Sequence, residues 1–214
     1  MRNQIKAVAT ELLISHGVRG LRFGDIADRL GITRANIHYH FGTKGNLVKE
    51  VVADYVADTL EQLGVIWRAP HLSYQEKARQ MMEFNRARYG KFNRGPQRGR
   101  PWSLISRMRL EADQVGPGSR KALRAFTVTM EGYIEDAVAK AQKDGDLVAT
   151  APANDLAVQL IAVVDSAGSI TMDGGSFDRL ERLYTAYLHI IDHAYGGQPK
   201  RAAKPTPAAR NEAC

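Results

Sequence analysis

The chain has a single cysteine, Cys214, which is the last of its 214 residues. An intrachain disulfide is therefore impossible, and the sequence is typical of a protein kept in a reducing compartment, the cytoplasm. Long hydrophobic runs are also missing, since none reaches the ~18 apolar residues that a membrane span needs. No basic and then apolar leader opens the chain, so we expect a cytoplasmic protein with no membrane partner.

The sequence also lacks the usual signatures of catalysis. It contains no Ser/His/Asp or Cys/His arrangement and no glycine-rich phosphate loop. We therefore predict that the protein is not an enzyme and needs no cofactor. His189 and His193 are one helical turn apart, but no third ligand follows at a metal-binding spacing, and we predict no metal site.

Positive charge is in excess, and it lies at the two ends of the chain. The net charge is +7; residues 1–50 carry eight basic and four acidic side chains, residues 196–214 carry four and one, and residues 51–195 are neutral overall. A basic head on a neutral body is typical of a phosphate-binding module joined to a separate structural unit, although basic ends also serve solubility alone. Residues 196–214 have almost no apolar content, so we predict a disordered tail.

Apolar residues recur at helical spacing along most of the chain, and glycine or proline divides these segments. This pattern predicts an all-α fold. About nine helices are expected, over residues 3–16, 24–30, 33–41, 44–67, 74–92, 102–113, 119–143, a segment from either 152 or 154 to 172, and 176–195.

Residues 23–44 show the pattern of two short helices joined by a glycine turn. Gly31 permits the left-handed backbone of a tight turn, and Thr33 is a good N-cap for the helix that follows. Ile37 and Phe41 are four residues apart and must face the core, which leaves the polar side chains of this helix pointing outward. The pattern predicts a helix-turn-helix whose second helix enters the major groove of DNA.

The outward side chains have the chemistry to read and hold DNA. Arginine pairs with guanine, asparagine with adenine, and a small alanine can approach a thymine methyl. Hydroxyl, imidazole and ammonium groups can contact phosphates, most effectively at a helix N-terminus. The predicted DNA-binding residues are Arg22, Thr33, Arg34, Ala35, Asn36, His38, Tyr39, His40, Thr43 and Lys44. The structural alternative is a three-helix bundle whose polar face is only solvated.

Residues 5–52 resemble the DNA-binding domain of the tetracycline-repressor (TetR) family of bacterial regulators. The matching pieces, in order and at fixed spacing, are Asp25-Ile26-Ala27, Leu30-Gly31-Ile32-Thr33, Ile37-His38-Tyr39-His40-Phe41 and Gly42-Thr43-Lys44. Two departures occur: the usual hydroxyl residue that opens the second helix is replaced around Arg22-Phe23, and His38 stands where tyrosine is common. The resemblance implies residues 1–50 as a DNA-binding domain and residues 51–195 as a ligand-binding and dimerisation domain.

The resemblance also implies a small-molecule effector, bound among the helices between the head and the dimer interface. Methionine and aromatic residues there predict an apolar ligand, since such side chains adapt to varied shapes. The alternative for each of these residues is plain core, which is the more frequent role of such side chains. The predicted ligand-binding residues are Trp67, Met81, Phe84, Asn85, Trp102, Met108, Phe126, Met130 and Tyr133.

The last two helices are the most apolar, which favours a four-helix homodimer interface, although packing within one chain is the alternative. The predicted interface residues are Leu156, Leu160, Val164, Leu180, Tyr184, Tyr187 and Ile191. A dimer places two heads on half-sites about one helical turn apart, so the double-stranded DNA operator is predicted to be palindromic.

Residues 86–109 contain eight basic side chains and no acidic one. The fifth helix must return toward the head if it packs antiparallel to the fourth. We therefore predict that the loop at 93–101 lies on the DNA side of the body, where it contacts phosphates or an anionic ligand. The alternative is a solvated loop.

These features predict a homodimeric repressor that a small molecule releases from DNA through its fourth and sixth helices. The alternatives are a DNA-binding activator or architectural protein that does not switch, and a helical enzyme with a vestigial head.

Overall fold

The computed structural model describes residues 1–95 and 98–197. Within these two ranges the chain forms nine α-helices and no β-strand, which confirms the predicted all-α class. The helices are α1 Arg2–Gly20, α2 Phe23–Leu30, α3 Arg34–Phe41, α4 Lys44–Trp67, α5 Tyr74–Phe92, α6 Leu104–Leu110, α7 Pro117–Asp144, α8 Ala153–Asp173 and α9 Asp178–Tyr195. The predicted disordered tail lies outside the described residues, except for Gly196 and Gly197.

The first helix is longer than predicted and is interrupted at Gly17. This residue has φ 69° and ψ −174°, a conformation that favours glycine. A Cβ on Gly17 would also lie 2.0 Å from the carboxylate of Glu111. The interruption leaves the N–H of Val18 outside the helical ladder, and the Glu111 carboxylate accepts it at 2.7 Å.

Two other helix boundaries differ from the predicted ones because of capping. α6 is shorter than predicted: Trp102 precedes it, and the Ser103 hydroxyl caps it by accepting the N–H of Ser106. α7 starts at Pro117 rather than Ser119, since proline in the first helical turn gives up an N–H that has no helical partner there.

The head consists of α1, α2 and α3 packed on the first turns of α4. Ile5, Leu13, Ile26 and Ile37 are fully buried at its centre. Arg2 closes one side: its guanidinium lies 4.4 Å from the centroid of the Phe41 ring, forms an ion pair of 2.6 Å with Glu50 and donates to the carbonyl of His40. The N-terminal residues therefore fix the end of α3 against α4.

The body is built around α4, which runs without interruption from the head. At 1.5 Å per residue its 24 residues extend about 36 Å. α7 packs along α4, α8 along α7 and α9 along α8, while α5 packs on α4 and α9. The end of α5, at Lys91 and Phe92, lies beside α1 and α4, so α5 returns toward the head as expected. The predicted domain boundary at residue 50 falls inside α4.

One helix, α8, is long and apolar enough to cross a membrane by length and composition, with a mean hydropathy of 1.3 over an 18-residue window of which 39% is buried. A single helix of this kind is weak support for a membrane span, because the core helices of soluble proteins have the same composition.

Candidate nucleic-acid interface

The turn between α2 and α3 follows directly from its residues. Gly31 ends α2 in the left-handed conformation, with φ 63° and ψ 35°. The N–H of Ile32 returns to the carbonyl of Ala27 at 3.1 Å, and the Thr33 hydroxyl caps α3 by accepting the N–H of Asn36 at 3.3 Å. Gly42, with φ 66°, ends α3 after eight residues. Two short helices are thereby held at a fixed angle by local hydrogen bonds.

One face of α3 is anchored and the other is free. Ile37 and Phe41 are 0% and 4% exposed, whereas Tyr39 is 86% exposed. The other predicted DNA-binding residues on α3 and in the flanking turns are also exposed, apart from His40 and Lys44, which are partly buried. The predicted residues of 33–44 are therefore all exposed or partly exposed, and Arg22 is exposed at the N-cap of α2.

The two departures from the family pattern contact each other. The ring of Phe23, at the start of α2, meets the ring of His38 edge to face, with centroids 4.8 Å apart. The Nδ1–H of His38 can in turn donate to the carbonyl of Gly42 at 2.9 Å. Phe23 thus packs on the recognition helix where a hydroxyl residue is usual, and His38 is oriented from both sides.

Arg34 lies across the first turn of α2. A Cβ on Gly24 would be 2.9 Å from the guanidinium Nη2 of Arg34, so a larger residue at position 24 would displace this side chain. Thr43 caps α4 by accepting the N–H of Asn46 at 3.1 Å. Lys44 lies in the first turn of α4, and the N-terminus of a helix is a position that favours phosphate binding.

The head is tied to the body through α6. Glu111, which follows α6, accepts the N–H of Val18 from α1 and forms an ion pair of 2.8 Å with Arg107 on α6. Both charged side chains are mostly buried, with 21% and 23% of their surfaces exposed. A displacement of α6 would therefore act directly on α1.

A small cavity lies behind α6, inside the body. Its volume is about 20 Å³, room for about one water molecule. Of the predicted ligand-binding residues, Phe84, Asn85, Trp102 and Phe126 line it. The cavity also has polar lining residues that were not predicted from the sequence, namely Tyr55, Thr59, Arg88 and Ser103.

The other predicted ligand-binding residues belong to the core. Met81, Met108 and Met130 are fully buried, and Trp67 is 2% exposed. Tyr133 is half-buried, with Arg68 over its ring at 5.5 Å. None of these five lines the cavity.

The predicted dimer residues require a correction. Leu156, Leu160, Leu180, Tyr184, Tyr187 and Ile191 are all between 0% and 7% exposed within one chain, and Val164 is partly buried and lines the inner cavity. Tyr184 accepts a hydrogen bond from the Asn85 amide at 2.9 Å, and the Tyr187 hydroxyl donates to the carbonyl of Leu156 at 2.8 Å. These side chains fill the chain's own core, so they offer little surface to a second copy.

The opposite faces of α8 and α9 carry small and apolar residues that are exposed. On α9 these include Leu183, at 37% exposed, and Ile190, at 63%; on α8 they include Val158, at 48%. The remaining exposed small or apolar residues on these faces are Ala162, Ser166, Ser169, Met172, Ala186 and Ala194.

The basic segment 86–109 contains Lys91 and seven arginines, and the arginines divide into two groups. Four of its arginines, Arg86, Arg88, Arg107 and Arg109, are partly buried and contact side chains of the body. Three others, Arg94, Arg98 and Arg100, are exposed, and their side chains have no partner among the described residues. Gly99 lies against the end of α8.

Within the three-helix head, a short exposed helix joined to its neighbour by a glycine turn is the arrangement of a DNA-binding helix-turn-helix. Residues 5–51 match the sequence family described as bacterial regulatory proteins, tetR family. Residues 5–51 therefore form a DNA-binding domain of this family of bacterial regulators.

Solved structures share the whole fold. A TetR-family regulator from Agrobacterium tumefaciens is 19% identical, with a TM-score of 0.78 over 89% of this chain and 96% of that one. A TetR regulator from Chloroflexus aurantiacus is 22% identical, with a TM-score of 0.75 over 92% and 96%. A transcriptional regulator from Saccharomonospora viridis, in complex with choline, is 21% identical, with a TM-score of 0.73 over 92% and 98%. No curated protein matches the sequence.

Proposed function

We propose that this regulator is a homodimeric repressor that binds a palindromic operator through α3 and leaves it when a small effector enters the body. The observation that carries the DNA-binding part is the exposed polar face of α3, rigidly anchored by Ile37 and Phe41. Rigid anchoring matters because hydrogen bonds to base edges require the helix to hold one depth and angle in the groove. The cytoplasm, where the chromosome of a bacterium lies, is the proposed location.

The proposed dimer rests on the outer faces of α8 and α9. Four apolar or small positions recur on α9 at Leu183, Ala186, Ile190 and Ala194, and small residues on α8 would let a partner helix approach closely. Two such helices from each chain form a four-helix interface. Burial there would also account for the high hydropathy of α8.

The proposed release by an effector rests on the route through α6. Ser103 and Ile105 line the inner cavity, and Glu111, just beyond the end of α6, holds α1. A ligand larger than water must displace these walls, so its binding energy favours a second arrangement of α6. Binding of choline by the regulator from S. viridis supports a ligand-binding body in this fold.

The test is a selection of binding sites from random double-stranded DNA, followed by a footprint on the region upstream of the gene. The expected result is a palindrome with half-sites about one helical turn apart. The matched control is the triple variant Arg34→Ala, Asn36→Ala and Tyr39→Ala, which keeps both anchors of α3 and is expected to enrich nothing. Failure of the native protein to enrich any sequence would contradict DNA binding.

The alternative of an activator or architectural protein that does not switch predicts the same footprint. It differs in one respect, because no metabolite would then release the DNA. Repeating the footprint over a panel of small molecules separates the two functions.

A further inference from the structure

Arg88 occupies an unusual position in the body. Its guanidinium lies between two aromatic rings, 4.5 Å from the centroid of Tyr55 and 5.1 Å from that of Phe84. The one hydrogen bond that it donates goes to the hydroxyl of Thr59 at 3.2 Å. A guanidinium has five N–H donors, so most of its hydrogen-bonding capacity is unused by the described residues.

The other partly buried arginines of the same segment are all paired with carboxylates. Arg86 pairs with Glu181 at 2.6 Å, Arg107 with Glu111 at 2.8 Å, and Arg109 with Asp165. Arg88 has no carboxylate within ion-pair distance among the described residues. Burial lowers the pKa of Arg88 to about 10, which still leaves it charged at neutral pH. A charge held away from water without a counter-charge is costly.

Arg88 also lies between two spaces. It lines the inner cavity behind α6, and together with Tyr55 it lines a surface groove of about 620 Å³ between α1, α4 and the end of α5. Three acidic residues line the groove: Asp54 pairs with Lys6 and Glu11 with Arg29, whereas Asp58 forms no ion pair among the described residues and lies beyond ion-pair distance of Arg88. The cavity side is lined by hydroxyl, amide and apolar groups and by no carboxylate among the described residues.

We propose that Arg88 is the anchor for a small organic carboxylate, whose apolar body occupies the inner cavity between Phe84, Trp102 and Phe126. A carboxylate matches the planar donor fork of arginine and supplies the counter-charge that the chain does not. Asn85 also lines the cavity, and the amide N–H that it does not donate to Tyr184 can donate to the carboxylate. This inference rests on the proposed effector-binding function and names the chemical class of the effector.

The same arrangement connects the anchor to α6. The hydroxyl of Tyr55, whose ring stacks on Arg88, accepts the N–H of Leu104 at the first turn of α6. Since the cavity holds about 20 Å³, a carboxylate with an apolar body must displace Phe84, Trp102 or α6. Binding of a carboxylate by Arg88 and movement of α6 are therefore coupled through the side chain of Tyr55.

The experiment measures binding to the full chain without DNA, by calorimetry and by thermal shift. The probes are benzoate, phenylacetate, 3-phenylpropionate and octanoate, each compared with its own primary amide. We expect at least one carboxylate to bind about tenfold or more tightly than its amide. In Arg88→Met this preference should disappear, whereas Arg86→Met, which removes an equal charge one half-turn away, should keep it.

Arg88→Met should also melt at the native temperature or above it, because it removes a buried charge and strands no carboxylate. Three outcomes would overturn the inference: four carboxylates that bind no better than their amides, a preference that survives in Arg88→Met, or a large loss of melting temperature in that variant. Because no DNA is present, failure here leaves the DNA-binding proposal intact. Conversely, failure of the site selection leaves a measured carboxylate preference standing.

Discussion

At the scale of single residues, the face of α3 separates side chains that would read bases from those that would hold phosphates. Asn36 is exposed on α3, while Lys44 lies at the N-terminus of α4. Asn36→Ala should cost about 1–3 kcal/mol of binding at the cognate site and relax its specificity at one base pair. Lys44→Ala should weaken binding to all sequences alike and reduce the salt slope by about one unit.

Fluorescence anisotropy on cognate and scrambled duplexes, over a series of salt concentrations, checks both expectations. If Asn36→Ala lost the same affinity for the cognate and the scrambled duplex, this residue would not read a base. An unchanged salt slope for Lys44→Ala would remove it from the phosphate contacts.

A second residue-scale prediction concerns the carboxyl of Asp165, which is 21% exposed and pairs with Arg109. Burial raises its pKa to about 6 against the opposing effect of Arg109. The folded chain therefore binds this proton more tightly than the unfolded chain does. Its stabilising contribution is fully present below about pH 4 and is lost as the pH rises through about 6.

The measurement is the free energy of unfolding of the native chain minus that of Asp165→Asn. We expect this difference to fall by on the order of 1–3 kcal/mol between pH 4 and pH 7. A difference that rises with pH would mean that the ion pair with Arg109 outweighs burial.

Caps, turns and buried anchors could be predicted from the sequence where residues close together along the chain determine them. The Thr33 cap, the Gly31 turn and the anchors Ile37 and Phe41 are set by spacing alone, and the structure has all of them. The contact between Phe23 and His38 could not be predicted from the sequence, because it depends on how two helices pack together. Arg88 was visible only as one member of a basic segment, since its burial and lack of a carboxylate are tertiary facts.

At the scale of helices, the contact between α6 and α1 joins the body to the head in addition to the continuous helix α4. Glu111→Ala leaves the N–H of Val18 and the guanidinium of Arg107 unpaired. We expect it to reduce the free energy of unfolding by about 1–3 kcal/mol and to speed amide exchange in residues 17–21. Glu111→Gln keeps a hydrogen-bond acceptor for the N–H of Val18, so its free energy of unfolding should fall less.

Denaturant unfolding and hydrogen exchange measure both effects. If Glu111→Ala exchanged at the native rate in residues 17–21, the link between α6 and α1 would not be the one that holds this end of α1.

The exposed arginines of the basic segment provide the second helix-scale prediction. Reversing Arg94, Arg98 and Arg100 to glutamate should weaken DNA binding and flatten its dependence on salt, if the loop contacts phosphates. Reversing three other exposed basic residues of the body, Arg68, Arg79 and Lys143, to glutamate is the control for total charge. A native salt slope in the triple variant would exclude the loop from the DNA contacts.

Helix periodicity predicted the existence and order of the helices but not which face of α8 and α9 is internal. Both faces of these helices are apolar, so the sequence could not tell Leu160, which is buried, from Val158, which is exposed. The predicted dimer residues were the larger side chains, and in this fold the larger side chains fill the chain's own core.

At the scale of the whole molecule, two heads must be held at a fixed separation to read a palindrome. The outer faces of α8 and α9 are the surface proposed to do so. Placing a charge at its centre, in the double variant Leu183→Glu and Ile190→Glu, should give a monomer. Both positions are exposed, so the fold of each chain should change little in stability, within about ±0.5 kcal/mol per substitution.

Light scattering measures the mass, and anisotropy measures the affinity for full and half operators. The monomer should bind the full palindrome 10²-fold or more weakly, because the second head is no longer tethered to the first, while its affinity for a half-site remains. Val65→Glu, on an exposed apolar position of α4 that is 69% exposed, is the matched control and should stay dimeric. If the double variant kept the mass of a dimer, the proposal that the interface lies on α8 and α9 would be wrong.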